Sequence, residues 1–125
     1  LNGSKMFITN GVHADLVFVA ARTDTNAKGS RGLSIFAVKK GTPGFRVGRA
    51  LKKSGWLASD TAELIMEDVE VPAENLLGKE GEGFKNFMRT LDSGRVGIAA
   101  LSLGIADLPA STGSIRHSPA FATLG

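Results

Sequence analysis

Residues 61–72 read Thr61-Ala62-Glu63-Leu64-Ile65-Met66-Glu67-Asp68-Val69-Glu70-Val71-Pro72, and this stretch decides the fold class. Ala62, Leu64 and Met66 alternate with Glu63, Ile65 and Glu67, the period-two pattern of a strand with one buried face. Val69 and Val71 then bracket Glu70 before Pro72, so a strand is expected from Thr61 to Val71. The carboxylates from Glu63 to Glu74 occupy the water-facing positions of that strand and its exit. Spacing of this kind argues for a solvated face rather than a catalytic acid–base pair.

Working back toward the N-terminus, Phe45, Val47 and Arg49 continue the strand reading, and Gly41-Thr42-Pro43-Gly44 forms the turn before them. Leu33 to Lys39 alternates Leu33, Ile35 and Ala37 with Ser34, Phe36 and Val38, which predicts a strand covered on both faces. Arg22 to Gly32 is polar and glycine-bearing, an exposed loop. Leu16 to Ala21 is an apolar run of strand length and β-favouring type. Asn10-Gly11 is a strong turn signal after a short strand from Lys5 to Thr9.

Beyond Gly78 the period changes. Phe84, Phe87, Met88, Leu91, Ile98 and Ile105 fall on one stripe of a helix expected from about Gly83 to Ile105. Glu80 and Glu82 lie near its start, where carboxylates favour the positive end of the helix dipole. Short strands followed by one long helix predict a mainly antiparallel β-domain, a small sandwich or barrel, with an appended helix. The expected organisation is a β-domain over 1–78, the helix over 79–106 and an irregular tail over 107–125, where Pro109, Gly113 and Pro119 interrupt the periodicity. A stripe this apolar is expected to pack against helices that the chain does not supply.

Composition sets the outer limits. At 125 residues, 42% hydrophobic and 22% charged, the chain has the makeup of an ordinary globular protein with one real core. No apolar run reaches the ~20 residues of a membrane span. With no cysteine there is no thiolate metal site and no thiol nucleophile, and His13 and His117 alone do not make a metal centre. The net charge of +3 conceals a division. From Arg22 to Lys53 every charge but Asp24 is basic, whereas acids dominate from Asp60 to Asp92. A basic stretch suits nucleotide phosphates, but no aromatic residues interleave with it, which argues against nucleic acid. A solvated face of β-hairpins is the simpler explanation. Gly78-Lys79-Glu80-Gly81-Glu82-Gly83 lacks the Gly-Lys-Ser/Thr ending of a phosphate-binding loop and reads as the entry to the helix.

Leu91-Asp92-Ser93-Gly94-Arg95-Val96-Gly97 is the one anomaly of the helix. Each glycine inside a helix costs about 1 kcal/mol relative to alanine. Such a cost is tolerated where another helix or a ligand approaches the backbone. Asp92 and Arg95 share a face. They form either a surface ion pair or the flanks of a bare patch where a ligand lies, and spacing leaves both readings open.

Three stretches together resemble the acyl-CoA dehydrogenase family. Asn2-Gly3-Ser4-Lys5-Met6-Phe7-Ile8-Thr9-Asn10-Gly11 is similar to the family's Asn-Gly-x-Lys-x-Trp-Ile-Thr-Asn-Gly strand and turn. Ser59-Asp60-Thr61-Ala62-Glu63-Leu64 leads into Glu67-Asp68-Val69 and Val71-Pro72-Ala73-Glu74-Asn75-Leu76-Leu77-Gly78. Gly81-Glu82-Gly83-Phe84-Lys85 continues to the Asp92 to Ala99 segment. The resemblance implies the middle β-domain and first C-terminal helix of a flavoenzyme that oxidises acyl-CoA thioesters to 2-enoyl products. In that family a glutamate takes the α-proton, the β-hydride passes to FAD, and electrons leave to electron-transfer flavoprotein. Residue by residue, Phe7, Ile8 and Thr9 take the Trp-Ile-Thr positions against the flavin, with the Thr9 hydroxyl directed at N5. Asp92, Gly94 and Arg95 take positions lining the acyl-CoA channel.

The resemblance further implies a dimer or tetramer in a bacterial cytoplasm or mitochondrial matrix. Departures from the pattern matter too. Phe7 stands for the usual tryptophan and lacks an indole N–H donor. Gly94 stands where some members carry the catalytic glutamate, so this chain alone is expected to lack a general base. The Thr-Glu-Pro, Gly-Ser-Asp and Arg-Gln-x-Phe-Gly flavin segments are absent, and the pattern lapses after Ala106. Two alternatives stand beside this reading: a non-enzymatic remnant or interaction module of the same fold, and a related flavoenzyme with a different substrate.

Overall fold

The computed structural model describes residues 1–111, with side chains described through residue 107. Strands β1 (Gly3–Thr9), β2 (Leu16–Arg22), β3 (Leu33–Lys39), β4 (Phe45–Ala50) and β5 (Thr61–Met66) precede a helix α1 (Gly83–Ser111). The expected mainly antiparallel β architecture with one long helix is what forms. The chain divides into a unit Leu1–Lys85 and a second from Asn86 onward, and each is described by itself.

In the first unit, β5 is the centre of a three-stranded antiparallel sheet of order β1-β5-β4, and β2 pairs with β3 in a second sheet. Ala62, Leu64 and Met66 are all buried, as their alternation predicts. Met66 meets Val19 and Val38 of the second sheet, with Val69 closing the cluster and Leu1, Val17, Phe36 and Phe45 packed around it. Apolar inner faces from two sheets thus form one sandwich core. Ser34, Ile35 and Val38 are buried on alternating faces of β3, so that strand is covered on both sides as expected. Its outer edge is bridged at Phe36 by Leu76, and Ile35 O accepts the Leu77 N–H at 2.8 Å.

Several details differ from the sequence reading. Strand β5 ends at Met66 rather than Val71, because Asp68 takes a left-handed backbone (φ 52) and turns the chain. There Asn2 holds Asp68 through two hydrogen bonds, Nδ2 to Oδ1 at 3.0 Å and Oδ1 from the Asp68 N–H at 2.7 Å. Asn10-Gly11 makes the expected turn, and the strand before it pairs with β5 rather than with β2. A turn signal fixes local direction and leaves the partner strand open. Helix α1 continues past Ile105 through Pro109 to Ser111, so residues 107–111 are helical rather than irregular. Extending an existing helix is far easier than nucleating one, and this outweighs the breakers in the last turn. The remainder of the expected tail lies outside the described residues.

The glycines after Gly78 join the helix start to the β unit. The Gly81 N–H donates to Ser34 Oγ at 3.0 Å, and a methyl at Gly83 would lie 2.8 Å from Leu33 O and the Ser34 backbone. Gly83 therefore lets its own backbone approach that of β3 closely. In the second unit, Met88 and Leu91 are half-buried while Phe87, Ile98 and Ile105 of the same stripe are exposed. The expected apolar stripe is present and, among the described residues, largely uncovered.

Candidate functional site on the outer face of β1

Register decides which side chains of β1 leave the core. Lys5 pairs with Leu64 and Ile8 with Ala62, two buried residues of β5, so Lys5 and Ile8 face inward and are half-buried. Thr9 pairs with Thr61 on the opposite face and is exposed. Between Lys5 and Ile8 the strand carries one residue more than β5 does between Leu64 and Ala62, which is a β-bulge. Phe7 sits in it with φ 61, a left-handed backbone that a bulky side chain adopts at a cost of roughly 1–2 kcal/mol. The residue is 75% exposed.

The end of β1 is braced from β5. The Asp60 carbonyl accepts the Asn10 N–H at 3.2 Å, and its Oδ2 accepts the Val12 N–H at 2.7 Å. A methyl at Gly11 would lie 3.0 Å from Ile8 O and 3.1 Å from Ala62 Cβ, so the turn presses tightly on the sheet. Beside Thr61, an open depression of about 430 Å³ is lined by residues including Lys52, Lys53, Leu57 and Ser59. The Thr9 hydroxyl makes no hydrogen bond among the described residues. Strand β1 thus presents an aromatic face and an unengaged hydroxyl to solvent, with Ile8 anchoring them from behind.

This face fits the flat, hydrogen-bond-accepting ring of FAD that the family resemblance implies. Phe7 offers a stacking surface and Thr9 a donor at the ring edge. Sequence reasoning found Phe7, Ile8 and Thr9 but not the bulge, because one extra residue leaves no mark in an alternation as short as Lys5 to Thr9. It also missed the bracing role of Asp60. The Asp-Thr pair just before a strand is the signal that carried it, since a carboxylate there often captures amides of a neighbouring turn.

In the second unit, Arg95 Nη1 lies 3.8 Å from Asp92 Oδ1, with both side chains more than 70% exposed. A pair so loose and wet contributes well under ~1 kcal/mol. A methyl at Gly94 or Gly97 would meet nothing within 4 Å. Among the described residues nothing packs against either glycine, and the Asp92–Arg95 pair lies on the helix surface beside them. Among the described residues there is no cluster of His, Cys, Asp or Glu able to hold a metal, and no helix long and apolar enough to cross a membrane.

Comparison with known proteins fits these features. The family description for the acyl-CoA dehydrogenase middle domain matches residues 1–69. A short-chain specific acyl-CoA dehydrogenase of Megasphaera elsdenii is 55% identical over 107 residues, which cover 86% of this chain and 28% of that protein. The solved butyryl-CoA dehydrogenase of Megasphaera elsdenii superposes with a TM-score of 0.81 at 55% identity, over 85% of this chain and 27% of the other. A chain in a structure described as the electron transferring flavoprotein of Acidaminococcus fermentans gives a TM-score of 0.81 at 60% identity, over 85% of this chain and 28% of the other. The chain spans little more than a quarter of the length of these relatives. With more than half of its residues matched to the middle domain, the chain belongs to the acyl-CoA dehydrogenase family.

Proposed function

We propose that this chain forms part of the flavin- and substrate-facing wall of an FAD-dependent dehydrogenase that introduces an α,β double bond into short-chain acyl-CoA thioesters. The observation carrying this reading is the pairing of an exposed Phe7 ring with the unengaged Thr9 hydroxyl on the outer face of β1. Support for the substrate class comes from the short-chain and butyryl-CoA specificity of the relatives. Bound FAD supplies the two-electron acceptor for a hydride. Phe7 would offer the flavin ring a stacking face, and Thr9 would donate a hydrogen bond to its edge, favouring the more negative reduced form. Ile8 fixes both by filling the inner side of the strand. On α1, Gly94 leaves the helix backbone open to the thioester, with Asp92 and Arg95 as polar flanks.

No side chain of this chain is assigned the α-proton, so the isolated chain is inactive and the base belongs to the complete enzyme. That enzyme passes electrons to an electron-transferring flavoprotein, as the Acidaminococcus relationship suggests. It assembles as a dimer or tetramer in a bacterial cytoplasm or a mitochondrial matrix. The test mixes the purified chain with FAD, butyryl-CoA and a dye acceptor. Expected are quenching of flavin fluorescence, its weakening in Thr9→Val, and no dye reduction. Quenching that is identical in parent and Thr9→Val removes Thr9 from the site, and turnover above background overturns the inactivity.

One observation favours a second reading, an interaction module. Phe87, Ile98 and Ile105 of α1 stand in water along one stripe, and an uncovered apolar stripe of this kind self-associates or takes a partner. Concentration-dependent sedimentation of the chain without FAD separates the two readings.

A further inference from the structure

Strand β3 pairs with β2 along one edge, and along the other it carries the chain that leads to α1. Two holds on that edge use the strand's own backbone. Asn75 Nδ2 donates to Ala37 O at 2.9 Å, and the Leu77 N–H donates to Ile35 O at 2.8 Å. Leu33 O stands next in the row, and there Gly83 passes so close that a methyl on it would lie 2.8 Å from that oxygen. The third hold is instead a side chain: the Gly81 N–H donates to Ser34 Oγ at 3.0 Å. The last fastening before the helix is thus one that a side-chain rearrangement can release.

Ser34 is fully buried, and its hydroxyl has a second partner, Thr23 Oγ1 at 2.8 Å. A serine oxygen that accepts from Gly81 still has one proton to give, and Thr23 Oγ1 is the acceptor beside it. Donation in that sense runs from the Gly81 N–H through the Ser34 hydroxyl to Thr23, and each bond of such a chain strengthens the other. Thr23 in turn belongs to a loop braced from within. Asp24 Oδ1 accepts the Asn26 and Ala27 N–H groups at 2.8 and 3.2 Å, and the Arg22 guanidinium donates to Ala27 O and Gly29 O.

We propose that Ser34 is a hydroxyl relay coupling the loop after β2 to the entry of α1, so that a loop which draws Thr23 away loosens the hold on Gly81. The braced loop passes a displacement on to Thr23 instead of absorbing it. No hydrogen bond joins Thr23 to Gly81 directly, and a serine that merely filled the core would leave the two independent. All three residues lie in the first unit, and their coupling does not depend on the function proposed above.

Amide hydrogen exchange of the full chain, resolved by NMR, tests the relay through a double-mutant cycle. Ser34→Ala is expected to speed exchange at Gly81 about fivefold, the effect of losing one neutral hydrogen bond. Thr23→Val keeps the branched shape without the hydroxyl. It is expected to speed Gly81 about threefold in the parent and to add nothing in Ser34→Ala. Thr23→Ser, which keeps a hydroxyl, is expected to leave Gly81 at the parent rate. The amides of the buried Val38 and Leu64 report global opening and are expected not to respond to Thr23→Val. Gly81 exchange that ignores Thr23→Val overturns the relay. So does an equal effect of Thr23→Val with and without the Ser34 hydroxyl, or a rise shared by Val38 and Leu64. Should Ser34→Ala fail to fold, the two Thr23 variants decide: the relay stands only if the valine loosens Gly81 and the serine does not.

Discussion

The β unit and the helix treat similar residues in opposite ways. Leu64 on β5 is fully buried, whereas Val96 on α1 is 71% exposed. A methyl at Gly44, which has φ +80, would lie 2.0 Å from the Glu67 carbonyl oxygen, whereas one at Gly94 would touch nothing. One region closes upon itself and specifies each atom. The other leaves its apolar and glycine positions open among the described residues. Identity of side chain therefore says little about energetic weight without knowing which region carries it.

That contrast breaks most directly with paired truncations. Leu64→Ala is expected to destabilise the β unit by about 3 kcal/mol, seen as a lowered midpoint in urea, while Val96→Ala changes stability by less than ~0.5 kcal/mol. Comparable effects from the two would mean that α1 is covered in solution. Paired glycine substitutions sharpen it next. Gly44→Ala is expected to cost about 2 kcal/mol through its left-handed backbone and the blocked carbonyl, and Gly94→Ala to gain roughly 1 kcal/mol of helix stability. Circular dichroism at 222 nm through a thermal melt reads both, and a loss of helix in Gly94→Ala would show that the patch is already occupied. The smallest effect belongs to the ion pairs. Arg46→Ala, which removes a 3.1 Å pair with Glu67, and Arg95→Ala are each expected to change stability by less than ~0.5 kcal/mol. Added salt should erase even that difference.

Legibility in the sequence followed the same division. The alternation of Ala62, Leu64 and Met66 and the double-sided burial of β3 were readable because a core imposes period two on neighbouring residues. Strand partners were not, since Asn10-Gly11 bends the chain without saying that β1 will join β5, and an aspartate at 68 tolerates a left-handed backbone without announcing that the strand ends there. At the site, resemblance supplied Phe7, Ile8 and Thr9, and the register puts Thr9 outward. Neither spacing nor resemblance revealed that Phe7 occupies an extra position, because that depends on counting residues on two strands at once. On α1 the anomaly of Gly94 was visible as a cost without a benefit, and the open space beside it retains that character.

The hydrogen bonds from Asn10 and Val12 to Asp60 carry a mechanical consequence. They tension the tip of β1 from the entrance of β5 rather than from the chain that continues it. Residues 51–60 lead into that same entrance, and Trp56 and Leu57 stand there in water. Asp60 thus ties the turn that follows Thr9 to the end of that loop, so a change in the loop's last residue is felt first at the Asn10 and Val12 amides.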